Sequence, residues 1–306
     1  RLGARDGDAR GHALMRLAAA AALALAAGLS QAGALPRGCE RHTAVTAAQQ
    51  DRLLRFAAVV RRVLAESGAE AALIARSGTD LSRFGLRYSH AGIALADGLG
   101  SPWAVRQLYY ACSEGAPRLF DQGLAGFVAG NDDADLGYVS LVLLPPEVAA
   151  PVARATLDKG LALGLLSPRY SANAYPFNTA YQNCNQWVAE MIAAAVGGSS
   201  SREAAQAWLQ QAGYSPAPVH AAPWLMLAGR FVPWLHFSDH PTSALEAGLV
   251  QTSLPDSLDA FALQRWPSAR RIEFCHDPQG VLQREGGAPL AAGCVPQNGQ
   301  AVIALD

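Results

Sequence analysis

Tyr181-Gln182-Asn183-Cys184-Asn185-Gln186-Trp187-Val188-Ala189-Glu190 is the stretch that decides how this 306-residue chain is read. Upstream, Ala174 to Thr179 is rich in residues that disfavour regular structure. Downstream, Trp187, Val188, Met191, Ile192 and Ala195 recur at helical spacing up to Gly197 and Gly198. A helix therefore begins at or next to Cys184. A thiol in a first turn sits among unpaired backbone N–H groups at the positive end of the helix dipole, and both favour thiolate over thiol. Burial as a small inert hydrophobe is the commoner fate of a free cysteine, so a nucleophilic role for Cys184 rests on what the rest of the chain supplies.

Composition sets the bounds. With 51% hydrophobic and 16% charged residues the chain can build a real core and is not disordered. A net charge of -1, from 24 basic and 25 acidic residues, gives no basic patch of the kind nucleic acid requires. Met15-Arg16 is followed by an apolar run from Leu17 to Leu29 that ends in Ala32-Gly33-Ala34. A basic start, an apolar stretch of about 7–15 residues and a small-residue end describe a secretory signal peptide. Met15 is then the expected initiator, 1–34 the signal segment and Ala34 roughly the last residue removed, which places the mature protein in the periplasm or outside the cell. The run falls short of the about 20 apolar residues of a membrane span, so no stable span is expected after signal removal.

Export gives meaning to the five cysteines, because thiols outside the cytoplasm are oxidised in pairs. Cys275 and Cys294 flank a turn-rich segment and form the better-supported pair; Cys39 and Cys112 form the second. Cys184 is left over as a free thiol.

Residues 35–306 read as one α+β domain, with a core of about 84–200 and a C-terminal extension of about 214–306. Thr46 with Gln49 spells a capping box before an amphipathic helix through Leu53, Phe56, Val60 and Leu64, ending at Gly68. Leu86 to Ala96 and Trp103 to Tyr110 read as a hairpin around the turn Asp97 to Pro102, and Tyr138 to Leu144 as a third strand. A helix is expected over Glu147 to Leu166, another capped by Ser200 and Glu203 and ending near Gly213, and irregular structure over Ser215 to Pro255. Leu258 to Trp266 reads as a short helix, and Arg271 to Cys275 and Val302 to Leu305 as late strands. His236 and His240 have a zinc-like separation but lack a helix and a glutamate between them. Asn131-Asp132-Asp133 is read as a solvated turn rather than a calcium loop. No metal site and no cofactor is expected.

Nucleophilic cysteine chemistry needs a thiolate, a base, a group that orients the base, and N–H donors for an oxyanion. Cys184 supplies the first and His90, on the hairpin's first strand, the second. Gln107 on the returning strand is the candidate orienter, through its side-chain oxygen. Gln182 or Asn183 is a candidate second oxyanion donor, although Asn183 is better suited to capping the helix. Tyr175 and Trp187 are candidates to line a substrate cleft, against the commoner role of aromatics in the core. Ser89-His90-Ala91-Gly92-Ile93, followed much later by Asn183-Cys184-Asn185 at a helix start, resembles the circularly permuted branch of the papain-like hydrolases, which includes permuted NlpC-type peptidases and lecithin retinol acyltransferase. That resemblance implies a core of antiparallel strands packed on the helix that starts at the cysteine. It also implies hydrolysis or acyl transfer at an amide, ester or thioester of an envelope peptide or lipid-linked molecule. The polar group that these hydrolases carry on the strand after the base, often a second histidine, has no such counterpart here, which favours the alternative of a catalytically silent envelope binding or structural module. Across Phe84 to Tyr110, Phe120 to Gly126 and Tyr170 to Glu190 the chain resembles an uncharacterised bacterial family, domain of unknown function 2145.

Overall fold

In the computed structural model, which describes residues 45–297 and 299–305, Thr46 starts the first helix by the box its sequence spells. The Gln49 N–H donates to Thr46 Oγ1 at 3.2 Å and the Thr46 N–H to Gln49 Oε1 at 2.9 Å. The helix, Ala47–Glu66, buries Leu53, Phe56, Val60 and Leu64. Their spacing is the apolar stripe legible in the sequence.

The next element was not legible. Ala71–Arg76 (β1) is buried along its whole length and forms the middle of a seven-stranded antiparallel sheet. The other strands are His90–Leu95 (β2), Ala104–Ala111 (β3), Ala116–Gln122 (β4), Gly137–Leu143 (β5), Arg270–Asp277 (β8) and Gly280–Glu285 (β9), in the order β4-β3-β2-β1-β5-β8-β9. A strand covered on both faces carries a continuous apolar run rather than an alternation, so its period gives no signal. The two covers are distinct. Ala72, Ile74, Ala94, Val105, Val139, Leu141 and Phe274 pack with Phe56, Val60 and Leu64 of the first helix. Leu73, Ala91, Ile93, Leu108 and Val142 pack with four helices on the opposite face: Pro146–Leu157, Cys184–Gly197, Arg202–Gln211 and Pro255–Arg265. The architecture is α+β in three layers, helix, sheet, helices.

Several local expectations are corrected. The helix read over 147–166 is two, Pro146–Leu157 and Lys159–Gly164, because Asp158 turns extended and caps the second through its side chain. Ser201, not Ser200, caps the following helix, accepting from Ala204 N–H at 3.3 Å. The stretch 215–255 contains a two-stranded ribbon, Ala217–His220 (β6) with Leu249–Thr252 (β7), and short helices at Pro223–Gly229 and Thr242–Glu246. Near the C-terminus, among the described residues, only Ile303 bridges to the sheet, at Val281. The C-terminal segment is more than an extension, since it supplies β8 and β9. Cys275 and Cys294 form a disulfide, and Cys112 is also disulfide-bonded. Cys39, Met15 and the signal segment lie outside the described residues.

His276 of β8 lies 4.6 Å from the Phe56 ring, centroid to centroid, fully buried and with neither ring nitrogen hydrogen-bonded. Burial first, then the charge of Arg52, lowers its pKa to about 4, against the opposing pull of Asp133, Asp277 and Asp135. The unfolded chain therefore takes up a proton that the folded one refuses. Stability from this group is complete above about 6.5 and is lost as pH falls toward the folded value. A His276→Phe protein, keeping the ring contact, is expected to lose about 2 kcal/mol less than the parent between pH 7 and pH 4.5. Urea denaturation at the two pH values checks this; equal losses in both proteins would refute it.

Candidate active site

The cysteine helix starts where the sequence places it. Asn183 is its cap, with Oδ1 accepting the Gln186 N–H at 2.7 Å, and Cys184 is the first helical residue. The thiol is the one free cysteine among the described residues and is 6% exposed. Backbone N–H groups of Asn185, Ala91 and Cys184 itself reach the sulfur and lower its pKa, as does the charge of Arg76. Desolvation outweighs them all and raises it to about 11. The expected thiolate is thus not the resting form, because the helix start is buried against the sheet instead of facing solvent.

The contact with Ala91 comes from a gap in the sheet. Pairing of β2 with β3 covers Ile93 to Leu95 and goes no further toward His90. Ala91 is left beside the thiol. Gly92, next in the strand, is where β3 comes closest: a Cβ there would lie 2.5 Å from Val105 Cγ1 and 3.0 Å from the Arg106 carbonyl oxygen, so only glycine fits.

His90 belongs to the opposite face of the same strand. Its ring stacks on Tyr109 at 4.6 Å and lies 5.9 Å from Phe127, which packs with the first-helix layer. Its Nε2 is 2.7 Å from Gln107 Oε1, and Gln107 Nε2 donates to Gln122 Oε1 at 2.7 Å. With the amide oriented in this way, His90 Nε2 carries the proton and Nδ1 is left as an acceptor. Burial and Arg76 lower the His90 pKa to about 3, the Gln107 bond opposing them. The imidazole is neutral. The structure therefore joins His90 to Gln107 and brings Cys184 to the neighbouring residue, Ala91, while among the described residues no hydrogen bond links His90 to Cys184.

The other named candidates are occupied elsewhere. Gln182 is fully buried: Nε2 donates to the Leu165 carbonyl and to Glu190, and Oε1 accepts from Ser167 N–H. Asn183 Nδ2 is spent on Ala172, Thr252 and Ser253. Neither offers a free donor to an oxyanion. Trp187 is a core residue whose Nε1 donates to the Ala162 carbonyl. Tyr175 is half-buried, edge-on to Phe177 and near His240.

Two residues at the site were missed, Arg76 and Tyr170. Arg76, last in β1, donates to Tyr109 Oη and the Gly130 carbonyl and acts electrostatically on both His90 and Cys184. Tyr109 alternates with Gln107 on β3, so both face the His90 side of the strand. Tyr170 stacks on Tyr110 at 5.1 Å, and its phenol is pushed well above its ordinary value by burial, then by Cys184 and Tyr109. No local pattern announced Tyr170, since an isolated bridge to Gln182 brings it in.

The lead-in to Cys184 is held by a buried ion pair. Glu190, one and a half turns into the helix, is fully buried and receives Arg202 Nε at 2.9 Å and Nη2 at 3.0 Å, with Gln206 Nε2 at 2.8 Å. Arg202 also donates to the carbonyls of Thr179 and Tyr181. Helix and preceding loop are thereby fixed to each other. Burial raises the Glu190 pKa against the lowering pull of Arg202 and the two glutamines.

Compared with known proteins, the chain matches over residues 63–262 the model of a family described as "Uncharacterized protein conserved in bacteria (DUF2145)". No curated protein and no solved structure matches it significantly.

Proposed function

The chain belongs to this uncharacterised bacterial family, DUF2145, and we propose that it works there as an exported thiol hydrolase or acyl-transfer enzyme with a permuted papain-like core. The observation that carries the reading is the arrangement of two half-sites at adjacent residues of β2, His90 in one and Ala91 beside the thiol in the other. Backbone N–H groups of Asn185, Ala91 and Cys184 itself lower the pKa of a helix-start thiol, and on the other face of β2 an imidazole is held by Gln107 through Nε2, which leaves Nδ1 as its acceptor nitrogen. In the proposed reaction His90 Nδ1 takes the Cys184 proton as sulfur attacks the carbonyl carbon of an amide, ester or thioester. The N–H groups at the helix start hold the oxyanion. Collapse forms an acyl-thioester and expels the leaving group, which receives the proton from His90. Water or an acceptor, deprotonated by the same imidazole, then releases the acyl group. The proposed substrate is an envelope peptide or lipid-linked molecule.

The resting form keeps both groups neutral and on opposite faces of β2, so the reading requires a step that brings His90 to the thiol and lets solvent or substrate reach the sulfur. That step removes the desolvation which holds the thiol at about 11 and leaves the N–H groups and Arg76, all of which lower it. A catalytically silent binding module is the second reading, favoured by the burial of Cys184 and the missing Cys184–His90 hydrogen bond. Iodoacetamide labelling of the folded protein across pH, with the modified residue located by mass spectrometry, separates them. The enzyme is expected to label at Cys184 with an apparent pKa below the ~8.5 of a free thiol, raised in His90→Ala. Labelling that follows the high resting value and ignores His90 would establish the binding module.

A further inference from the structure

The segment that follows the ribbon strand β6 leaves an apolar face in solvent. In the short helix Pro223–Gly229 and the turn after it, Trp224 is 68% exposed, Leu227 60% and Phe231 76%. The spacing of three places Trp224 and Leu227 on one side of the helix, and Phe231 is exposed in the turn that directly follows it. The opposite side is packed: a Cβ on Gly229 would lie 3.1 Å from the Phe237 ring, and Val232 is buried. Scattered apolar residues on a surface need no explanation, but three large ones this exposed within one short helix and its following turn mark an interaction site.

Charge identifies the partner. No aspartate or glutamate occurs between Glu203 and Asp239, and the only formal cation in that span is Arg230, which is exposed next to Phe231. Glu246 is the single carboxylate on the neighbouring helix Thr242–Glu246. A face with tryptophan and phenylalanine at its rim, an arginine beside them and no carboxylate of its own suits the headgroup layer of an anionic bilayer. There aromatic rings settle at the interface and an arginine meets phosphate.

We propose that Trp224, Leu227 and Phe231 form a membrane-docking face, which seats the protein peripherally on a lipid surface containing anionic headgroups. The proposal does not depend on the chemistry of Cys184. It has a consequence for position, because the same segment is tied to the loop leading to the cysteine helix. Ala172 N–H donates to the Trp234 carbonyl at 2.9 Å, Asn173 Nδ2 to the His236 carbonyl at 2.9 Å, and His236 N–H to Ser171 Oγ at 3.0 Å.

The test uses the full chain and vesicles of phosphatidylethanolamine and phosphatidylglycerol with brominated acyl chains, which quench only tryptophans that enter the bilayer. Trp103, Trp187 and Trp266 are buried and Trp208 and Trp234 partly so. Quenching is expected in the parent and lost in Trp224→Phe, which keeps the apolar face. Trp224→Ser/Leu227→Ser/Phe231→Ser, with an unchanged circular dichroism spectrum, is expected to bind these vesicles at least about tenfold more weakly. Equal quenching in parent and Trp224→Phe would overturn the proposal, showing that another segment enters the lipid. Sedimentation of a parent dimer that the triple variant turns into monomer, with no vesicle binding by either, would assign the face to a second copy and overturn it too.

Discussion

An Arg202→Met protein is expected to lose about 3–5 kcal/mol of stability, the cost of leaving a buried charge without its partner. Glu190 is inside the helix that begins at Cys184, and three of its four hydrogen bonds from Arg202 and Gln206 come from the next helix. Methionine fills the space of the arginine stem and removes the charge, so the loss reports on the pair rather than on a cavity. Arg202 also holds the carbonyls of Thr179 and Tyr181, and the loop before Cys184 is expected to loosen with it. Denaturation midpoints for Arg202→Met, Glu190→Gln and the double variant decide the matter. The double variant should recover much of the loss, because a neutral amide among Gln182 and Gln206 can be hydrogen-bonded without a counter-charge. A single variant within 1 kcal/mol of the parent would show that Glu190 is already protonated in the folded state, the direction in which burial pushes it.

The second large effect concerns the disulfide at the other end of the sheet. Cys275 and Cys294 are separated by 19 residues in sequence and both are buried. A Cys275→Ala/Cys294→Ala protein is expected to be less stable by about 3 kcal/mol, the loop-closure entropy that the cross-link takes from the unfolded chain. The closed segment is also tied down without it. Leu290 N–H donates to Glu273 Oε2 and Cys294 N–H to Tyr138 Oη, so the fold should survive with a lower urea midpoint. Iodoacetamide labelling of Cys184 should be unchanged in water. If the midpoint does not move, those bonds already order the segment in the reduced protein.

What could be read from the sequence was what its local chemistry specifies. Thr46 with Gln49, Asn183 ahead of Cys184 and the turn before Trp103 are short-range signals, and each marks its element within a residue or two. The Cys275–Cys294 pair was readable because turn residues lie between its ends. β1 was hidden by being buried on both faces, and β4 because Ala116–Gln122 has a proline as its second residue and ends in polar residues at a sheet edge. At the candidate site, the types at positions 90, 107 and 184 suggested the chemistry, and the structure brings the first two into hydrogen-bond contact. The face of β2 was not readable: alternation sends Ala91 toward the cysteine helix and His90 away from it. Nor was the sign of the thiol shift, because the sequence displays the helix start but not the depth to which tertiary packing sinks it. The further partners of Gln182, Asn183 and Trp187, namely Leu165, Thr252 and Ala162, lie too far away in sequence to be visible beforehand, although the capping role of Asn183 was.

The pairing of β5 with β8 sets when this protein can fold. Gly137 faces His276 and Leu143 faces Arg270 across that seam, so the last two strands of the sheet wait for nearly the last part of the chain to be synthesised. Until then one side of Gly137–Leu143, a run of Tyr, Val and Leu with no charge, is an open edge able to pair with another nascent chain. Contacts so distant in sequence slow folding. Slow, late closure makes this seam the place where the newly made protein most needs a chaperone.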